Sequence, residues 1–181
     1  MRAFRTTALA ALIITVPLAG ASASDLIAYP TSTAAELPVY DDPGFDWNGF
    51  YAGVYGVAQT SPAGGEQLGI GVAAGVNAAF DFYLAGAEIA LQGLTGEAGE
   101  TSYAEVLARG GLVVTDNVAV YAAAGYGIDT GAPEENDFLL GGGVEVAVAD
   151  NMTLRAQYIH AFPSEGDNPK DQISFGANFH F

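Results

Sequence analysis

The sequence predicts an all-β fold, an eight-stranded antiparallel transmembrane β-barrel in up-and-down meander order. Three observations carry that expectation. From residue 47 to residue 181 the chain falls into runs of about ten residues that alternate between apolar and polar or small, a period of two. The connections between these runs alternate between short and long. The non-apolar face is mostly glycine, not the Lys, Glu, Arg and Thr of a strand surface that meets water, as expected where eight strands enclose a narrow lumen.

Composition narrows the function. The 181 residues include no Cys, 24 Gly, 21 acids and five Lys or Arg, for a formal charge of −16. Without cysteine there is no disulfide framework, thiolate metal site or thiol nucleophile. The two histidines, His160 and His180, are too far apart for a helical zinc motif. An acidic chain lacks the basic face that nucleic acid needs, and no cofactor motif is present.

Residues 1–23 have the form of a cleaved signal peptide: basic Arg2 and Arg5, an apolar run from Ala8 to Gly20, and an Ala21-Ser22-Ala23 exit. That run falls short of the ~20 residues of a membrane-spanning helix. Its removal leaves Arg109, Arg155 and Lys170 as the only Lys or Arg against all 21 acids. Residues 24–46, with Pro30, Pro38 and Pro43 and no sustained period, read as a periplasmic N-terminal tail.

The barrel is expected over residues 47–181. Its first strand runs from Trp47 to Ala58 and its fifth from Val118 to Gly127, both with imperfect alternation. In the second, Ile70, Val72, Ala74 and Val76 oppose Gly69, Gly71, Gly75 and Asn77. In the third, Tyr83, Ala85, Ala87, Ile89 and Leu91 oppose Gly86, Glu88 and Gln92. The fourth sets Ala104, Val106, Ala108, Leu112 and Val114 against Glu105, Arg109 and Gly111. The sixth sets Leu140, Val144, Val146 and Val148 against Gly141, Gly143 and Glu145. In the seventh, Met152, Leu154, Ala156 and Tyr158 oppose Thr153, Arg155 and Gln157. The eighth alternates Ile173, Phe175, Ala177, Phe179 and Phe181 with Gln172, Ser174, Gly176, Asn178 and His180.

Short turns are expected near Asn77–Asp81, Thr115–Asn117 and Ala149–Asn151, where Asp and Asn tolerate left-handed backbone angles. Longer loops are expected at Gln59–Gln67, Gly93–Thr101, Ile128–Asp137 and Pro163–Lys170. In an exported barrel the short turns face the periplasm and the long loops the outside. Aromatic residues mark both interfaces: Trp47, Phe50, Phe80, Phe179 and Phe181 at the smooth end, and Tyr103, Tyr126, Phe138 and Phe162 at the looped end.

The Trp47-Asn48-Gly49-Phe50-Tyr51-Ala52-Gly53-Val54 opening and the alternating last strand ending in Phe181 resemble the small outer-membrane β-barrel family. That family includes the opacity-type and porin-like surface proteins of Gram-negative bacteria and is related in fold to the OmpA transmembrane domain. The resemblance implies residence in a Gram-negative outer membrane, among its lipids and lipopolysaccharide. It also implies that Phe179 and Phe181 form the signal read by the barrel-assembly machinery. Unlike the OmpA pattern, no peptidoglycan-binding domain is expected to accompany this barrel.

Glu88, Glu105, Arg109, Glu145, Arg155 and Gln157, with Gln92 and Gln172, are the expected polar network of the lumen. Charges in a narrow lumen pair with one another, because an unpaired buried charge costs several kcal/mol, of order ~3–5. Glu145 and Arg155 stand opposite each other across the Asp150 turn and are expected to form one such pair. The looped end carries Glu66, Glu97, Glu100, Asp129, Glu134, Glu135, Asp137, Glu165 and Asp167 with only Lys170 as a base, a solvated face suited to weak divalent-cation binding. His160 and Ser164 sit at the rim, but in barrel enzymes that deacylate lipid A the Ser follows the His by two positions, and here that position is Phe162. The expected role is structural and non-enzymatic. The alternatives are a barrel that binds or transports small solutes, haem or a host surface, and a lipid A-modifying enzyme.

Overall fold

The computed structural model describes residues 44–96, 99–129 and 135–181. The expected signal peptide and nearly all of the expected tail lie outside the described residues. Eight strands form one closed barrel: β1 (Gly49–Ser61), β2 (Gly65–Phe80), β3 (Tyr83–Gly96), β4 (Gly99–Thr115), β5 (Val118–Asp129), β6 (Glu135–Ala149), β7 (Met152–Pro163) and β8 (Lys170–His180). Every neighbour pair is antiparallel, and β1 closes the ring on β8, with Tyr51 opposite His180 and Thr60 opposite Asp171. The meander expected from the alternating connections is the observed order.

The alternation sorts side chains between two environments. Ile70, Phe175, Leu68, Ile89 and Val106 stand outward and are 60–79% exposed, while Glu88, Glu145 and Arg109 on the opposite face are nearly inaccessible. A water-soluble barrel would reverse this, since a continuous belt of exposed Ile, Leu, Val and Phe far exceeds what a soluble surface tolerates. The outer wall is therefore a lipid-facing surface, and the buried polar groups satisfy one another inside it.

The strands run 11 to 17 residues, longer than expected. Hairpin pairing continues past the apolar belt because polar residues pair as well as apolar ones once two chains lie in register. Ser61 still pairs with Gly65, and Gly96 with Gly99, inside segments expected as loops. The first smooth-end turn falls at Asp81-Phe82, with Asp81 at φ 53°, so β2 extends through Phe80.

The interface aromatics need two corrections. Phe50, Phe80, Phe179, Phe181, Tyr126, Phe138 and Phe162 face outward, but Trp47 is 3% and Tyr103 1% exposed, and both lie inside. Tyr103 is an odd residue of β4 and shares the inward face of Glu105 and Arg109. Phe45, within the expected tail, donates its backbone N–H to the Asp116 carbonyl at 3.2 Å and packs with Trp47, Leu84 and Ala119 across the smooth mouth. Phe82 and Tyr83 add outward rings at that end.

Candidate functional site: the barrel lumen

The lumen is filled in layers, beginning with rings at the smooth end. The Phe45 ring meets Trp47 edge-on at 4.8 Å and His180 at 4.9 Å, and His180 stacks on Tyr51 at 5.4 Å. Beside this cap, Asp46 accepts hydrogen bonds from the backbone and side-chain N–H groups of Asn48, both 3.0 Å, which hold its carboxyl below the ordinary value.

Next comes a charged layer. Arg109 Nη2 donates to Glu145 Oε2 at 2.7 Å, Nη1 donates to the Tyr51 hydroxyl at 2.5 Å, and the guanidinium lies 3.9 Å above the centre of the Tyr121 ring. Glu145 also accepts from Thr153 Oγ1 at 2.5 Å and Asn178 Nδ2 at 2.8 Å, and His180 Nε2 stands 3.4 Å away. Arg155 reaches across the barrel from β7 to Glu88 on β3, which also accepts from the Tyr51 hydroxyl at 2.6 Å and lies 3.5 Å from Arg109.

The expected register at this layer is correct, with Glu145 directly opposite Arg155. The expected Glu145–Arg155 ion pair is not what forms: Glu145 pairs with Arg109 and Arg155 with Glu88. Cross-strand register fixes only which side chains start as neighbours. In a closed ring narrow enough to span, a long guanidinium finds its partner on the far wall.

A layer of amides follows. Gln92 donates to Gln172 at 3.1 Å, Gln172 to Gln59 at 3.0 Å, and Gln59 to Gln67 at 3.0 Å, with Gln92 also 3.3 Å from Glu105. Gln157 accepts from the Tyr121 hydroxyl at 2.7 Å. Leu94, Leu107, Leu139 and Ile159 also point inward here, so the upper lumen is more apolar than the sequence suggested.

At the looped rim, Lys170 and the Tyr103 hydroxyl converge on Asp137 Oδ2 at 2.7 and 2.6 Å, and Thr101 donates to Asp129 at 2.5 Å. Asp129, Asp137 and Lys170, expected on a solvated loop face, are buried members of strands. The lumen thus takes up all three bases that follow residue 23, Arg109, Arg155 and Lys170.

Sequence reasoning missed the four inward tyrosines. Tyr51 and Tyr55 lie over Gly75 and Gly71, their direct partners on β2, where an added Cβ would come within 2.4 and 2.3 Å of the ring. Tyr121 covers its direct partner Gly143 in the same way, and Tyr103 covers Gly127, one diagonal step away on β5. The signal was available, because inward glycine on one strand leaves space for a ring from the next.

On the outer wall, His160 Nδ1 and the Tyr158 hydroxyl share Asp171 Oδ1 at 2.7 and 2.5 Å. Ser164 follows Pro163, where β7 ends, and its N–H bonds the Asn136 carbonyl. Among the described residues, no three His, Asp or Glu side chains gather as a metal site.

No protein-family model matches the chain, and no curated protein sequence does. Solved structures do. Ail, the attachment invasion locus protein of Yersinia pestis, in complex with the heparin analogue sucrose octasulfate, is 14% identical, with TM-score 0.56 over 74% of this chain and 99% of that one. Neisserial surface protein A is 15% identical, with TM-score 0.54 over 73% and 97%. The fold is that of the small outer-membrane barrels. The N-terminal barrel domain of Pseudomonas aeruginosa OprF is similar as well, at 12% identity, TM-score 0.50, and 73% and 99% coverage. At these identities the shared property is the barrel itself.

Proposed function

We propose that this chain is a non-enzymatic barrel of a Gram-negative outer membrane that contributes to envelope integrity and displays short acidic loops. One observation carries the reading: the lumen is cross-braced from wall to wall. Glu88–Arg155 joins β3 to β7, Arg109–Tyr51 joins β4 to β1, and Gln92–Gln172 joins β3 to β8. Side chains that meet across the lumen fill it and stiffen the wall. On the strand face of His160 the flanking residues are Tyr158, whose hydroxyl donates to Asp171, and Phe162, so no serine stands beside the imidazole, which speaks against ester chemistry at the rim.

Partners follow from charge. Since every Lys and Arg after residue 23 is inside, no such base meets the lipid headgroups. Contact with lipopolysaccharide phosphates then runs through weakly held divalent cations at the acidic loops. A polysulfated ligand of the kind bound to Ail has no matching basic surface here. Phe179 and Phe181, both outward on or just past the last strand, are the proposed contact for the barrel-assembly machinery.

A deletion strain should show increased detergent sensitivity and vesicle release, restored by the wild-type gene. The purified barrel should not conduct in planar bilayers, and its expression should leave the lipid A mass unchanged. Steady conductance would move the assignment to transport, and a lipid A mass shift would move it to an enzyme.

A further inference from the structure

Residues 44–48 cross the smooth mouth as a strap instead of pairing as a strand. Phe45 and Trp47 are buried, while Asp46 and Asn48 between and after them are exposed, so the strap turns its rings inward and its polar groups outward. β1 begins only at Gly49, and the strap is bounded by two glycines at positive φ, Gly44 at 62° and Gly49 at 110°. Glycine alone takes the second angle without strain, and an added Cβ there would stand 2.8 Å from the Phe181 carbonyl oxygen. At Gly49 the chain therefore leaves the wall and runs across the opening.

The strap is anchored on the far side of that opening. The Phe45 N–H and the Trp47 indole N–H share the Asp116 carbonyl oxygen, at 3.2 and 3.4 Å, in the turn between β4 and β5. In a ring of eight, β5 lies across from β1. Asn48 Oδ1 accepts from the Ala79 N–H at 2.8 Å near the end of β2. Ala79, Leu84, Val113, Ala119 and Ala147, one from each of β2 to β6, complete the apolar cluster of the two rings. His180 of β8 meets both rings edge-on, at 4.9 and 6.4 Å. The strap thus touches nearly the whole rim of the mouth.

Polar groups lie directly behind it. His180 is 7% and Asn77 3% exposed, yet His180 Nδ1 and both amide atoms of Asn77 have no hydrogen-bond partner among the described residues. Asn77 stands opposite Gly49, and His180 Nε2 is 3.4 Å from Glu145 in the charged layer. An open mouth would let water reach these atoms. Burial of the two rings favours the closed strap, and desolvation of the polar atoms opposes it. A segment balanced in this way, outside the strand ladder and with glycine at both ends, can lift without unpairing a strand. We propose that residues 44–48 are a hinged lid that opens and closes the smooth mouth and, when closed, shuts the charged layer of the lumen off from water.

The two histidines supply the test, since the His160 side chain is 29% exposed on the outer wall and the His180 side chain 5% exposed behind the strap. The full exported chain is folded in detergent micelles and treated with diethyl pyrocarbonate at constant pH, and each histidine is followed by mass spectrometry of its peptide. In wild type His160 should react quickly and His180 slowly. Phe45→Ala removes one buried ring from the closed state and should raise the His180 rate about tenfold or more. The His160 rate and the faster gel mobility of the unheated barrel should not change. In wild type, urea below the unfolding range should alter the His180 rate little, because lifting five residues exposes little surface. A His180 rate unmoved by Phe45→Ala, or equal to that of His160 in wild type, overturns the proposal. So does a wild-type His180 rate that climbs with urea in step with global unfolding, since the mouth then opens only when the barrel does. Failure of Phe45→Ala to fold counts against it equally, because a lid is dispensable to the ring of strands it covers.

Discussion

Replacing Arg109 by methionine tests which charges belong together. The guanidinium is fully buried and makes its short contacts to Glu145 and the Tyr51 hydroxyl, with Glu88 at 3.5 Å. Removing one member of a buried pair costs about 3–5 kcal/mol, because the other charge is left uncompensated. Here Glu145 keeps Thr153 at 2.5 Å and Asn178 at 2.8 Å, and Glu88 keeps Arg155. Those remaining donors place the expected loss for Arg109→Met at the lower end, about 3 kcal/mol. Glu145→Gln alone leaves Arg109 with Tyr51 and Glu88, and should cost less.

The double change Arg109→Met with Glu145→Gln should be milder than the sum, with a coupling of about 2 kcal/mol. The same cycle on Glu145 and Arg155, direct neighbours in register that are linked only through Arg109 and Glu88, should give a smaller coupling, about 0.5–1 kcal/mol. Urea titration of the folded barrel in lipid vesicles, read by Trp47 fluorescence and by the faster gel mobility of the unheated barrel, measures all five variants against wild type. Larger coupling for Glu145–Arg155 than for Arg109–Glu145 would refute the cross-lumen assignment and restore nearest-neighbour pairing.

Gly75→Val places a branched side chain where a Cβ alone comes within 2.4 Å of the Tyr51 ring, and the overpacking should lower stability by about 1–3 kcal/mol in the same titration. Trp47→Phe should keep the smooth-end cap, whereas Trp47→Ala should cost about 3 kcal/mol, near the lower bound for a buried aromatic, read by loss of heat-modifiable mobility at lower urea. Cysteine introduced at Glu100 should react with a membrane-impermeant maleimide on intact cells, and cysteine at Asp150 only after permeabilisation; the reverse pattern inverts the topology.

The sequence by itself determined the strand number, the meander order and the face of most strand side chains, although Trp47 and Tyr103, read as interface aromatics, lie inside. A period of two assigns faces without knowledge of any partner strand, and alternating turn lengths assign neighbours. Ile173, Phe175 and Phe179 on one face and Gln172, Ser174 and Asn178 on the other are read directly from residue parity, as are Glu145 and Arg155. Carrying the same parity further would have moved Asp137 and Lys170 from the loops into the lumen. What only the tertiary structure decided was which inward side chains touch. Ring closure brings β3 against β7 and β4 against β1 across the lumen, a proximity with no signature in local sequence, so Arg155 meets Glu88 and Arg109 meets Tyr51. Closure also fixed where Phe45 and Trp47 lie, because a mouth narrow enough for three rings exists only once the last strand has paired with the first.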